Sequence, residues 1–235
     1  MQDLSGPGYG IIYIIMTHFA IVGAGGLVGR QLLQELLHQS TARITVVGRS
    51  FLALDHPRVE EKVVDFTDEW SLQSALAGCE AVFVAVGTTR QKVKGDMEAY
   101  RKVDFDIPLA VARACVANGI SRFLLVSSVG ANSRSRNFYL RLKGEVEDAI
   151  AGLPISFIGF FQPSLLLGTR TEFRLGERIS QLLMPRLSFL LPDKYKPITA
   201  TAVARAMVRE AGSTATGVRR YTFSEMKGVT ESAPV

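Results

Sequence analysis

His18-Phe19-Ala20-Ile21-Val22-Gly23-Ala24-Gly25-Gly26-Leu27-Val28-Gly29-Arg30 is the stretch that decides the fold. The apolar run at residues 18–22 predicts a strand covered by helices on both faces. Glycines follow at positions 23, 25, 26 and 29. Leu27, Leu32, Leu33, Leu36 and Leu37 then recur at the spacing of an amphipathic helix, which predicts a helix from Leu27 to His38. A glycine motif carries meaning in this context, between a strand and a helix. Gly23 permits the tight turn. Gly25 and Gly26 leave room for a pyrophosphate to reach the backbone at Leu27 and Val28, and Gly29 lets the helix lie close to the strand. The helix start offers unpaired N–H groups and the positive end of its dipole to phosphates.

Outward from this loop, strands and helices alternate. The sequence predicts strands at 43–47, 59–64, 81–86, 123–126, 155–161 and 219–224. Between them it predicts helices at 69–77, 97–118 (bent near Pro108), 137–151, 174–184 and 199–211. Such alternation implies βαβ units with right-handed crossovers. The expected fold class is therefore α/β: a Rossmann-type, doubly wound parallel sheet with helices on both faces. The 235 residues, 47% hydrophobic, suffice for one core, and no linker or repeat divides them. The expected organisation is an N-terminal extension over 1–16, then one domain over 17–235 with a small C-terminal lobe from about residue 163.

The C-terminal ends of the strands choose the ligand. NAD binders place an acidic residue after the second strand to take the ribose hydroxyls. Here Gly48-Arg49-Ser50 stands instead, and a guanidinium with a neighbouring hydroxyl suits a 2′-phosphate. NADP(H) is thus expected ahead of NAD(H). Asp65, ending the third strand, suits the adenine amine or a helix cap over 66–77. Val86-Gly87-Thr88 after the fourth strand lets the chain pass close to the dinucleotide. Arg90, Lys92 and Lys94 follow as a charged surface loop, useful to a substrate only if it is an anion.

Tyr139-Leu140-Arg141-Leu142-Lys143 is the second signal. Residues four apart on a helix share a face. An ammonium beside a phenol favours phenolate, so the phenol can exchange a proton with a carbonyl or carbinol near neutral pH. The same lysine can hydrogen-bond a ribose. Ser127 and Ser128 end the fifth strand on the same side, and Ser128 or Ser127 can orient the substrate oxygen.

These motifs together resemble the short-chain dehydrogenase/reductase superfamily over roughly residues 17–225. The spacing Gly23-x-x-Gly26-x-x-Gly29 is that of its extended and atypical branches. Gly87-Thr88-Thr89-Arg90, Ser127-Ser128-Val129-Gly130-Ala131 and Asn137-Phe138-Tyr139-Leu140-Arg141-Leu142-Lys143-Gly144-Glu145 resemble, more narrowly, the Tat-interacting, short-chain-dehydrogenase-like proteins and their bacterial relatives. Gln162-Pro163-Ser164-Leu165-Leu166-Leu167-Gly168 with Arg170 and Glu172 fits the same family. The resemblance implies an NADP(H)-binding fold with Tyr139 as proton donor or acceptor and Lys143 as its partner. Two departures stand out: Gly25 where many relatives have Thr or Ser, and Gln162 where many have Arg. The short region past Pro163 implies a small or open substrate site.

The leading expectation is an NADP(H)-dependent oxidoreductase acting on a small carbonyl or alcohol. The alternatives are an NADP(H) sensor that regulates a protein partner, and an epimerase or dehydratase acting on a nucleotide-sugar, which the small lobe disfavours. A homodimer through the long helices is an expectation by analogy alone. The net charge of +5 is scattered, with no basic block interleaved by aromatics, so nucleic acid is not an expected partner. Ile11-Ile12-Tyr13-Ile14-Ile15 is too short to span a bilayer and lacks a signal peptide's flanks, so no membrane partner is expected. Cys79 and Cys115 sit in apolar surroundings as buried free thiols, and no metal motif joins them to the three histidines. A cytoplasmic location is expected.

Overall fold

The computed structural model describes residues 18–167 and 192–231. The extension at 1–16, the helix expected at 174–184 and the family segment at Gly168, Arg170 and Glu172 lie outside the described residues.

The strands are β1 (His18–Val22), β2 (Arg43–Gly48), β3 (Val59–Val63), β4 (Ala81–Val84), β5 (Arg122–Val126), β6 (Phe157–Phe161), β7 (Leu166–Leu167), β8 (Ile198–Thr199) and β9 (Gly217–Tyr221). Seven of them form one parallel sheet in the order β3-β2-β1-β4-β5-β6-β9. β7 and β8 pair in parallel beside it. The order reverses between β1 and β4, which opens a crevice at their C-terminal ends.

Alternate residues of each strand face opposite sides of the sheet, and each side has its own core. On one, Phe19, Ile21 and Phe83 pack beneath α1 (Leu27–Gln39) and α6 (Ala200–Ala211). On the other, Ala20, Val22 and Val84 pack beneath α2 (Glu69–Leu76), α4 (Ile107–Ala117) and α5 (Phe138–Ala151). β1 and β4 are buried throughout, as their continuous apolar sequence predicts.

Most elements fall within two residues of their expected bounds. The helix expected over 97–118 is different in kind. It consists of α3 (Met97–Arg101), a π-turn (Lys102–Asp106) and α4, which starts beside Pro108. Proline has no N–H for the carbonyl four residues back, here Asp104, and a wider π register accommodates that loss. The strand expected at 219–224 begins earlier, at Gly217, and gives way to a helix, α7 (Phe223–Glu231).

Candidate functional site

The glycine loop closes on itself. Gly26 N–H donates to the Gly23 carbonyl over 3.0 Å. A Cβ on Gly29 would stand 2.1 Å from that same oxygen, so α1 can start here only because Gly29 has no side chain. The cap residue of α1 is Gly26, with no side-chain hydrogen bond, and its first turn carries no acidic residue. Its N-terminal N–H groups are therefore left for an external acceptor.

A cleft of about 1270 Å³ opens over this helix start. Its floor is the loop Gly25–Val28 and the segment Ala85–Thr88 after β4, and Ser127, Tyr139 and Lys143 form its far wall. Leu166, Leu167 and the start of α6 border it on a third side. Of the predicted residues, Gly25, Gly26, Leu27, Val28, Val86, Gly87, Thr88, Ser127, Tyr139 and Lys143 thus come together in one crevice.

Other predicted residues stand apart. Arg49 and Ser50 are exposed at the end of β2 and do not line the cleft. Asp65 is turned into its own backbone: one carboxylate oxygen accepts from the Thr67 N–H (2.8 Å) and hydroxyl (2.7 Å). Those bonds hold its carboxyl below the usual range. The cap of α2 is Asp68, which accepts from Trp70 and Ser71 N–H, so the capping expected of Asp65 belongs three residues later. Ser128 is buried outside the cleft lining, its hydroxyl 3.4 Å from the Val129 carbonyl. Arg90 and Lys92 reach the cleft mouth.

The Tyr139–Lys143 pair rests on a buried polar framework that sequence reading missed. Lys143 is 3% exposed, and its Nζ lies 2.9 Å from Asp104 Oδ1. The other oxygen of Asp104 accepts from Thr88 N–H over 2.8 Å. Burial works against the lysine's charge. Asp104, then Tyr139 and Glu147, outweigh it and hold Lys143 above the usual lysine range. One turn beyond Lys143, Glu147 is 2% exposed and gathers donors from three strands or strand ends. It accepts from the Ser127 hydroxyl (2.5 Å), the Gln162 amide (2.8 Å) and Arg220 Nε (2.9 Å). Tyr139, Lys143 and Glu147 follow at intervals of four, so this stripe was open to a helical reading. Asp104 carried no comparable signal.

Arg30 is a guanidinium that sequence reading passed over. It follows Gly29 directly, lines the cleft, and donates from Nε to the Gly25 carbonyl over 3.1 Å. Leu52 covers the loop's other side, 3.2 Å from where a Gly25 Cβ would stand.

The family described as NAD(P)H-binding matches residues 23–151, from the glycine loop to the end of α5. The chain belongs to that family. Protein HTATIP2 of Rattus norvegicus is 33% identical over 84% of this chain and 82% of its own. Protein FMP52 of Candida albicans, named mitochondrial, is 32% identical over 80% of this chain and 85% of its own. The resemblance to the short-chain dehydrogenase/reductase superfamily and its Tat-interacting branch therefore stands. Among solved structures, MoeE5 in complex with UDP-glucuronic acid and NAD superposes with a TM-score of 0.68 at 18% identity, covering 87% of this chain and 76% of that one. A short-chain dehydrogenase/reductase of Veillonella parvula in complex with NADP gives 0.61 at 16%, covering 86% and 89%. These share the fold.

The relatives correct one expectation. FMP52 proteins of Scheffersomyces stipitis, Aspergillus fumigatus and Candida albicans are all named mitochondrial, so the cytoplasmic location expected from the sequence does not stand. Buried thiols were its main support. Cys79 and Cys115 are indeed free and buried, but a reduced thiol states a redox condition and not an address.

Proposed function

We propose that the chain is an NADP(H)-dependent oxidoreductase of the short-chain dehydrogenase type, acting on a small carbonyl or alcohol. One observation carries this reading: the uncapped start of α1 and the Tyr139–Lys143 pair face a single cleft. The residues suit a dinucleotide on structural grounds, since the N–H donors of Leu27 and Val28 at the start of α1 meet a pyrophosphate and Gly87 leaves room beside it. Lys143, fixed by Asp104, is placed to hold a ribose hydroxyl. Arg49 at the end of β2 and Arg30 on the cleft wall are the guanidiniums offered for a 2′-phosphate. The nicotinamide supplies hydride chemistry when bound. Tyr139, partly open to the cleft, delivers or receives the proton at the substrate oxygen.

A second reading, an NADP(H) sensor with little turnover, has its own support. The Ser127 hydroxyl donates its hydrogen bond to buried Glu147, and Ser128 lies outside the cleft lining, so neither hydroxyl is set to donate to a carbonyl.

Titration with NADPH and NADH, followed by nicotinamide fluorescence, tests the cofactor. NADPH is expected to bind tightly and NADH poorly. Arg49→Ala should weaken NADPH by about tenfold while leaving NADH unchanged, as loss of a charge-assisted contact of roughly 1.5 kcal/mol implies. Failure to bind either cofactor would sink both readings. A carbonyl panel that the NADPH-loaded protein leaves unreduced would favour the sensor.

A further inference from the structure

We propose that Asp104 is the positioning residue of this site: one buried carboxylate holds the Lys143 ammonium with one oxygen and the Thr88 backbone with the other. The inference deepens the reading of Tyr139–Lys143 as the working pair, but its test needs neither cofactor nor turnover.

Three observations carry it. Asp104 is 1% exposed, so its charge has no water to rely on. Its oxygens are fully assigned, at 2.9 Å to Lys143 Nζ and 2.8 Å to Thr88 N. It also stands inside the π-turn, the one interruption between α3 and α4, and π-turns re-aim side chains that a regular helix would direct elsewhere. Tyr100, from the turn before, donates to the Thr88 carbonyl over 3.3 Å, so the same helical segment holds both backbone polar groups of Thr88.

The consequence is electrostatic as well as geometric. The charged or titratable groups facing Lys143 are Asp104 from the π-turn and Tyr139 and Glu147 from α5. Glu147 already accepts from Ser127 and Gln162 and pairs with Arg220. Asp104 is thus the counter-ion of Lys143, and without it a buried ammonium loses its main support. An asparagine in its place carries no charge for Lys143 and presents an NH2 donor where one of the two oxygens now accepts.

The test is NMR titration of Lys143 in cofactor-free protein labelled at lysine side chains, with Lys143→Met to assign the signal. Lys143 in the parent should titrate above the ordinary lysine range. In Asp104→Asn its midpoint should fall by about one to three units. An unmoved midpoint in folded Asp104→Asn overturns the proposal. Should that variant fail to fold, the reciprocal experiment decides: in Lys143→Met, the Thr88 amide resonance should move, because the carboxylate that accepts from it has lost its other anchor, and no change overturns the proposal. If Lys143 responds as expected but NADPH does not bind, the proposed function fails and the role of Asp104 stands.

Discussion

Tyr139 keeps its ring at the edge of the cleft, 37% exposed, while Lys143, one turn further into α5, is buried. This gradient places a proton-exchanging group at the surface where a substrate arrives and a fixed charge behind it. Tyr139→Phe should therefore bind NADPH within about threefold of the parent but lose reduction of any substrate the parent turns over, by a factor of about 10² or more. Stopped-flow absorbance with a matched binding titration separates the two effects. Tyr139 and Lys143 were legible because four-residue spacing survives any helix. Asp104 was not. A lone acid in a helical run ordinarily faces water, and its partner lies 39 positions away on another helix. Arg49 shows the opposite limit: its place at the end of β2 was legible, whereas its lack of contact with the cleft depends on a path the chain takes through Phe51 and Leu52.

Among the elements, α5, like α1, depends on a small residue. A Cβ on Gly144 would stand 2.1 Å from Ser133 N and 2.2 Å from Asn132 C, in the loop that leaves β5. That loop is held to the helix by Asn132 N–H donating to the Leu140 carbonyl over 3.0 Å. Gly144→Ala must push helix and loop apart, and should lower unfolding free energy by about 1–3 kcal/mol in urea titration. Gly152, at the end of the same helix with φ −82°, has nothing within 4 Å of its Cβ position. Gly152→Ala should be neutral or slightly stabilising. Equal losses in both variants would show that helix propensity, not the crossing loop, sets the effect. β1, β4, β5 and β6 were legible because helices cover both their faces and their sequences are largely apolar, whereas the two-residue strands β7 and β8 went unread because they are too short to show a period. α7 was missed because Phe223, Met226 and Val229 make a short pattern behind an arginine-rich strand.

For the whole molecule, stability should depend on pH through a histidine at the sheet's start. His18 is 5% exposed, within 2.8 Å of the Thr45 hydroxyl and 3.6 Å of Cys79 Sγ. Burial, then the nearby Arg43, lowers its pKa below the ordinary value of 6.5. The unfolded chain therefore takes up a proton that the native state refuses. Stability from this site is complete above pH 6.5 and declines as pH falls from there toward the depressed native value. Urea midpoints between pH 7.5 and 5 should fall, and His18→Gln should flatten that part of the dependence; an unaltered slope would assign the loss to other groups. Burial also pushes the Cys79 thiol up to about 12, so the thiol beside this histidine contributes no titration of its own in that window.

The π-turn at Lys102–Asp106 amounts to one surplus residue in what would otherwise be a single helix. A wider turn absorbs that residue, so a chain from which one of those five was deleted would regain an uninterrupted ladder with α3 and α4 nearly in phase, while the side chains inside the turn lost their present directions. Asp104 would turn away from Lys143, although Tyr100 kept its place beside Thr88. Sequence length in this segment is thus a form of aim: substitutions there are graded in their effects, whereas the loss of one residue has no mild version.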